Sequence, residues 1–224
     1  MKYLLHCIVE QDQAESGGDA PAQGISVIAG YGLAAVVSRE EPDEPPSVAR
    51  LLAYERVVES IHAVQTALPL RYGCWMESED EIRRLLEEHR EGYHALLKRL
   101  DGMTEMGIRL LIPACASAPP ATTPAPGAAY LTSLRQRYDR DGALTADEDT
   151  QAGRIADRLA GRFIEERREI SSSRQGRMLS LAYLIAKDQA GEFCRQAREI
   201  TPPGGAKLLM SGPWPPYSFV SSVR

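Results

Sequence analysis

The sequence predicts an α+β fold in two units, residues 1–102 and 103–224, on three observations. A chain of 224 residues holds one large or two small domains at the usual ~100–200 residues per domain. Segments of strand composition alternate with segments of helical period in both halves. No stretch repeats at a fixed period, which excludes solenoids and propellers. Hydrophobic residues make up 43% and charged residues 25% of the chain, ordinary values for a packed domain that exclude disordered and fibrous classes.

The opening KYLLHCIVE is rich in strand formers, and Gln11 to Gln23 then collects Gly, Ser, Asp and Pro, so a strand followed by a loop is expected. From Ile25, ISVIAGYGLAAVVS gives two β-branched runs around Gly30, Tyr31 and Gly32, the pattern of a β-hairpin. The prolines and like charges of Glu40 to Pro46 make a solvated linker. Leu51, Tyr54, Val58 and Ile61 then fall at helical spacing, predicting a helix from Ser47, its N-cap, to Gln65. ALPLRYGCWM, Ala67 to Met76, returns to an extended pattern. Ser78 with Glu79, Asp80 and Glu81 opens a helix whose apolar stripe runs unbroken from Ile82 through Leu85, Leu86, His89, Tyr93, Leu96 and Leu97 to Leu100. Lys98, Arg99 and then Gly102 close it.

The second half opens with a strand, MGIRLLIPA, at Met106, followed by the Pro/Ala/Thr tract Ala116 to Pro126, a loop or insertion. Gly127 to about Glu169 reads as helical, two helices or one bent near Asp141 and Gly142. Ser171 to Gly176 is a turn-rich break, Arg177 to Lys187 a strand, Phe193, Ala197 and Ile200 a short helix, and Ala206 to Ser211 a last strand. Helices covering one face of a mainly antiparallel or mixed sheet give this half a ferredoxin-like α+β arrangement, beside a smaller α/β unit in the first half.

Charge and hydropathy narrow the function classes. Twenty-six Lys and Arg against 31 Asp and Glu leave a net charge of −5, without the basic surplus that phosphate backbones require, so no nucleic-acid partner is expected. No stretch approaches the ~18 apolar residues of a bilayer span, so no membrane partner is expected either. The first ten residues lack the apolar core and cleavage site of a signal peptide. Cys7, Cys74, Cys115 and Cys194 are far apart with no metal-ligand spacing, and read as reduced, buried thiols of a cytoplasmic protein.

The motifs of chemistry are incomplete. Gly30 to Gly32 and Pro202 to Lys207 lack the Walker pattern, so both read as turns. Asp139, Asp141, Gly142 and Glu148 match part of a calcium loop, but Arg137 stands at its first ligand position and no calcium site is expected. His89 and His94, five apart, point to different helix faces. Cys74 near Arg71, with His62 as a partner, has nothing local to activate it. The sequence therefore predicts no catalytic residues, no cofactor and no metal.

The unusual segment is SGPWPPYSFV, Ser211 to Val220, with three aromatics and three prolines in ten residues of a chain only 6% aromatic. Either these residues fold back to cap the C-terminal sheet, or they form a stiff ridge that docks another protein. Trp214, Pro215, Pro216, Tyr217 and Phe219 are the candidate protein-binding residues. The stripe from Ile82 to Leu100 is a second candidate, more simply read as a packed face.

GPWPPYSFV, together with LPLRYG at Leu68 to Gly73, GYGLAAVVS in the hairpin and LAYLIAK in the later strand, resembles the GvpF/GvpL family of gas vesicle proteins, in the family's order and over almost the whole chain. The resemblance implies an N-terminal α/β domain and a C-terminal modified ferredoxin-like domain. It implies a non-enzymatic accessory or minor structural protein, located at gas vesicles in the cytoplasm. That protein would act in shell nucleation or assembly by binding the small hydrophobic shell protein and other gas vesicle proteins. The alternative is a small-molecule-binding protein or enzyme on a ferredoxin-like scaffold, a fold that hosts many functions and is recognised by a polar pocket.

Overall fold

The structure, a computed structural model, describes residues 1–12, 24–42, 45–113, 144–173, 176–202 and 206–220. Two compact units emerge, Met1–Glu105 with Trp214–Arg224, and Met106–Pro213. The sequence predicts one boundary after residue 102, with the tail in the C-terminal unit. The chain instead leaves the first unit within a strand and rejoins it at Trp214, so the motif SGPWPPYSFV straddles a boundary that local composition does not mark.

The first unit is built around β1 (Lys2–Glu10), which pairs antiparallel with β3 (Leu33–Glu40) on one side and with the two-residue strands β4 (Leu68–Pro69) and β5 (Trp75–Met76) on the other. Strand β2 (Ile25–Gly30) lies outside β3. The β2–β3 turn places Tyr31 at φ 60° and Gly32 at φ 79°, the type I′ geometry whose twist suits a two-residue hairpin. Every residue from Tyr3 to Val9 is buried, because both faces of β1 are covered. On one face, Tyr54 and Val58 of α1 (Val48–Val64) pack with Leu4, Cys7, Val9, Ala34, Val36 and Ala67. On the other pleat, Leu5, Ile8 and Leu33 are fully buried, where α2 (Glu79–Glu88) and α3 (Arg90–Arg99) pack on β1–β3 and bury Ile82, Leu86, Tyr93, Leu96 and Leu97.

One irregularity sets which side chains meet α1. Leu5 opposes Val37 and Cys7 opposes Val36, so His6 is the extra residue of a bulge. Leu4 and Cys7, three apart, thereby share the α1 face. The helix starts follow the sequence: the Ser47 hydroxyl accepts from the Arg50 N–H at 3.3 Å and the Ser78 hydroxyl from the Glu81 N–H at 3.2 Å. The stripe from Ile82 to Leu100, expected in one helix, is divided between α2 and α3 at His89, whose φ of −107° and ψ of 12° leave the helical region. The Tyr93 N–H still bonds to the His89 carbonyl at 2.9 Å, which keeps both helices on the same buried stripe.

The second unit runs β6 (Met103–Pro113), α4 (Ala146–Arg158), β7 (Glu165–Ser173), β8 (Gly176–Ala186), α5 (Ala190–Arg198) and β9 (Lys207–Trp214), with sheet order β7–β8–β6–β9. Six elements in the order βαββαβ, with the first and third strands central, are the ferredoxin-like arrangement. Ala152 and Ile155 of α4 and Phe193 and Ala197 of α5 pack on one pleat of the sheet, against Met106, Ile108, Leu110, Leu179, Leu181, Tyr183 and Ile185.

Strand β7 stands where the sequence predicts helix to about Glu169 and a turn from Ser171. Glu and Arg are good helix formers, but pairing from Glu165↔Leu184 to Ser173↔Gly176 overrides that preference. Of the predicted helical stretch, residues 127–143 lie outside the described residues, as does the Pro/Ala/Thr tract.

Candidate docking surface

Within the first unit, the tail is held by side chains more than a hundred residues earlier in the chain. The Thr104 hydroxyl donates to the Trp214 carbonyl at 2.8 Å. The Ser218 N–H and hydroxyl each donate to the Glu105 carboxylate at 2.8 Å. The Arg99 guanidinium donates to the Phe219 carbonyl at 2.7 Å. Pro215 and Pro216 are buried and lead into a single 3₁₀ turn, Tyr217–Phe219. Phe219 is fully buried, and Tyr217 packs against the core under α1. Burial pushes the Tyr217 phenol up, and the carboxylates of Glu55, Glu59 and Glu105 and the Cys7 thiol add to it.

Of the five candidate residues, Pro215, Pro216 and Phe219 thus have their surface occupied by the protein itself, Tyr217 is half-buried, and Trp214 is 40% exposed. The sequence offered a cap on the C-terminal sheet as the packing alternative; the packing lies on the N-terminal unit instead. Thr104, Glu105 and Arg99 carry no local sequence signal of their link to the tail. The second candidate stripe is core: Ile82, Leu86, Tyr93, Leu96, Leu97 and Leu100 are all buried.

The polar clusters elsewhere are occupied by structural contacts. The Ser38 hydroxyl donates to Glu40 at 2.7 Å and lies 3.0 Å from His6 Nε2, so it accepts from that nitrogen. The proton direction is opposite to that of a serine nucleophile activated by histidine. Burial holds His6 down to about 4, against the Glu40 charge and a backbone contact at Tyr54 that favour protonation. Burial also raises the Cys74 thiol, outweighing Arg71, so the thiolate is disfavoured.

Glu148 caps α4 in a reciprocal box with Thr145 and receives Arg177 at 3.0 Å. Burial acts to raise its pKa, but the Arg177 and Thr145 donors outweigh it and hold the carboxyl below its ordinary value. This carboxylate is therefore engaged by donors, while Asp139, Asp141 and Gly142 of the partial calcium loop lie outside the described residues. Among the described residues, no three His, Cys, Asp or Glu side chains converge as a metal site. A cleft of about 470 Å³ in the second unit balances Arg154 and Arg158 against Asp157 and Glu199 over Ile155 and Ile200. No helix among the described residues is long and apolar enough to cross a membrane.

Fold and surface together define a two-unit α+β protein whose C-terminal motif is built into its N-terminal unit. Residues 2–221 match the family model described as gas vesicle synthesis protein GvpL/GvpF. The chain belongs to this family. It is 28% identical to gas vesicle protein L of Streptomyces sp. (strain CB03234) over 79% of this chain and 74% of the relative. It is 26% identical to gas vesicle protein L1 of Halobacterium salinarum over 98% of this chain and 90% of the relative. The crystal structure of gas vesicle protein GvpF from Anabaena sp. PCC7120 superposes with a TM-score of 0.68 at 18% identity, covering 100% of this chain and 97% of that one. GvpF from Microcystis aeruginosa gives 0.65 at 17% identity, with 98% coverage of both chains.

Proposed function

We propose that the chain is a non-enzymatic accessory or minor structural protein that binds the small hydrophobic shell protein and other gas vesicle proteins during shell nucleation or assembly. The observation that carries this reading is the family match across residues 2–221. Its location would be the gas vesicle, within the cytoplasm. A shell subunit with a large apolar face needs partners that cover it before polymerisation. Trp214 is suited to such a contact: its backbone is fixed by Thr104 while its ring reaches solvent, so a partner would meet an ordered aromatic at little entropic cost.

The test is co-purification with co-expressed shell protein, comparing the intact chain with Trp214→Ala. Deleting the whole tail is the wrong variant, because it strips buried Phe219 and Pro216 from the first unit. Capture by the intact chain and its loss in a folded Trp214→Ala protein is the expected result. Equal capture by both removes Trp214 from the contact, and no capture by the intact chain removes the shell protein as a direct partner.

A further inference from the structure

The sheet edges of this protein are not protected alike. Strand β7, one edge of the second sheet, carries Glu165, Glu166, Arg167, Arg168 and Glu169. Strand β9, the other edge, carries Lys207 and Pro213. Both use the usual means of discouraging another strand: charge or proline. At the far side of the first sheet, β4 and β5 are two residues each, too short to template a partner. Strand β2 is different. Its six residues, ISVIAG, contain no charge and no proline, and among the described residues no strand pairs with its outer side.

The hairpin geometry shows which groups that side presents. Tyr31 and Gly32 form the two-residue turn, so Gly30↔Leu33 is the closing hydrogen-bonded pair. Ladder bonds then alternate to Ile28↔Ala35 and Ser26↔Val37, and the N–H and C=O groups of Ile25, Val27 and Ala29 point away from β3. Val27 is 42% exposed and Ala29 is also exposed, so the row of outward donors and acceptors is flanked by apolar side chains.

We propose that the outer edge of β2 binds an extended, uncharged segment of a partner protein by strand addition. Alternating backbone donors and acceptors are satisfied in register only by another extended backbone. The neutral edge attracts no charged segment, and exposed Val27 favours an apolar or β-branched residue beside it. Size argues for a segment over a second folded copy. Six residues span ~20 Å, and that single edge falls short of the ~800 Å² per partner of a standard stable interface. This inference stands apart from the role assigned to Trp214.

The probe is a capped peptide with the uncharged β3 sequence Leu33–Ser38, which already pairs with the other side of β2, labelled with a neutral fluorophore. Anisotropy titration with the full-length chain should give saturable binding. Val27→Pro, which removes an outward N–H but no β2–β3 bond, should weaken it at least tenfold. Ala29→Lys, an exposed charge introduced without backbone change, should do the same while leaving the melting curve in place, and it decides the matter if the proline variant does not fold. Absence of saturable binding, or binding indifferent to Ala29→Lys, overturns the proposal. So does sedimentation showing a dimer of the intact chain that Ala29→Lys dissociates, because the occupant is then a second copy.

Discussion

The two units stabilise their buried polar groups differently. The first covers its central strand on both faces and so encloses polar side chains: His6 and Ser38 are buried, and the Tyr54 hydroxyl sits 2.8 Å from the Leu70 carbonyl. The second buries a charge with its partner: Glu148 is 4% exposed and is met by Arg177, while Arg168 meets Asp149 and Glu166. At His6 burial outweighs the Glu40 charge and the neutral form is stable, whereas at Glu148 the Arg177 and Thr145 donors outweigh burial and the charged form is stable. The units should therefore fail in different pH ranges and be probed by different substitutions.

The largest expected effect tests whether the tail belongs to the first unit. Phe219→Ala empties a fully buried site and should cost about 3–4 kcal/mol. Both tryptophans, Trp75 and Trp214, lie in that unit, so tryptophan fluorescence in urea reads it alone. A loss below about 1 kcal/mol would detach the tail from the unit.

The next contrast is acid response. His6 titrates near 4 in the folded chain against 6.5 as a free side chain, so the unfolded state takes up its proton first as pH falls. Its contribution is full above about 6.5, declines through the window and is lost near 4, by about 3 kcal/mol in all. Fluorescence-detected urea melts from pH 7.5 to 4 should show that slope, and His6→Asn should flatten it. In the second unit, the lowered Glu148 carboxyl contributes fully above its ordinary value and loses that contribution only as pH falls below it. Glu148→Gln should cost about 2 kcal/mol at neutral pH, measured by far-UV circular dichroism, and leave the fluorescence transition unmoved. The smallest effect is Trp214→Ala, expected within about 0.5 kcal/mol of the parent because its ring is partly solvated; a cost near that of Phe219→Ala would make Trp214 a core residue.

Local signals were legible in the sequence and long-range ones were not. The Tyr31–Gly32 hairpin, the Ser47 and Ser78 caps and strands β1, β6 and β8 follow from residue type and period. Strand β7 did not, because Glu165 to Glu169 favours helix and is overruled by its partner β8. The bulge at His6 leaves no mark on an apolar run. The tail aromatics were visible as unusual, but their destination depends on Thr104 and Glu105, which composition cannot connect to residues 214 and 218.

That destination also has a timetable. Because the second unit, Met106–Pro213, is inserted between the two parts of the first, a ribosome adding ~5–20 residues per second leaves roughly 5–20 seconds between finishing Glu105 and reaching Trp214. During that interval strands β6 to β8 of the ferredoxin-like unit are made and its last strand β9 only at the end, while the older half of the chain waits with the sites of Tyr217 and Phe219 unfilled.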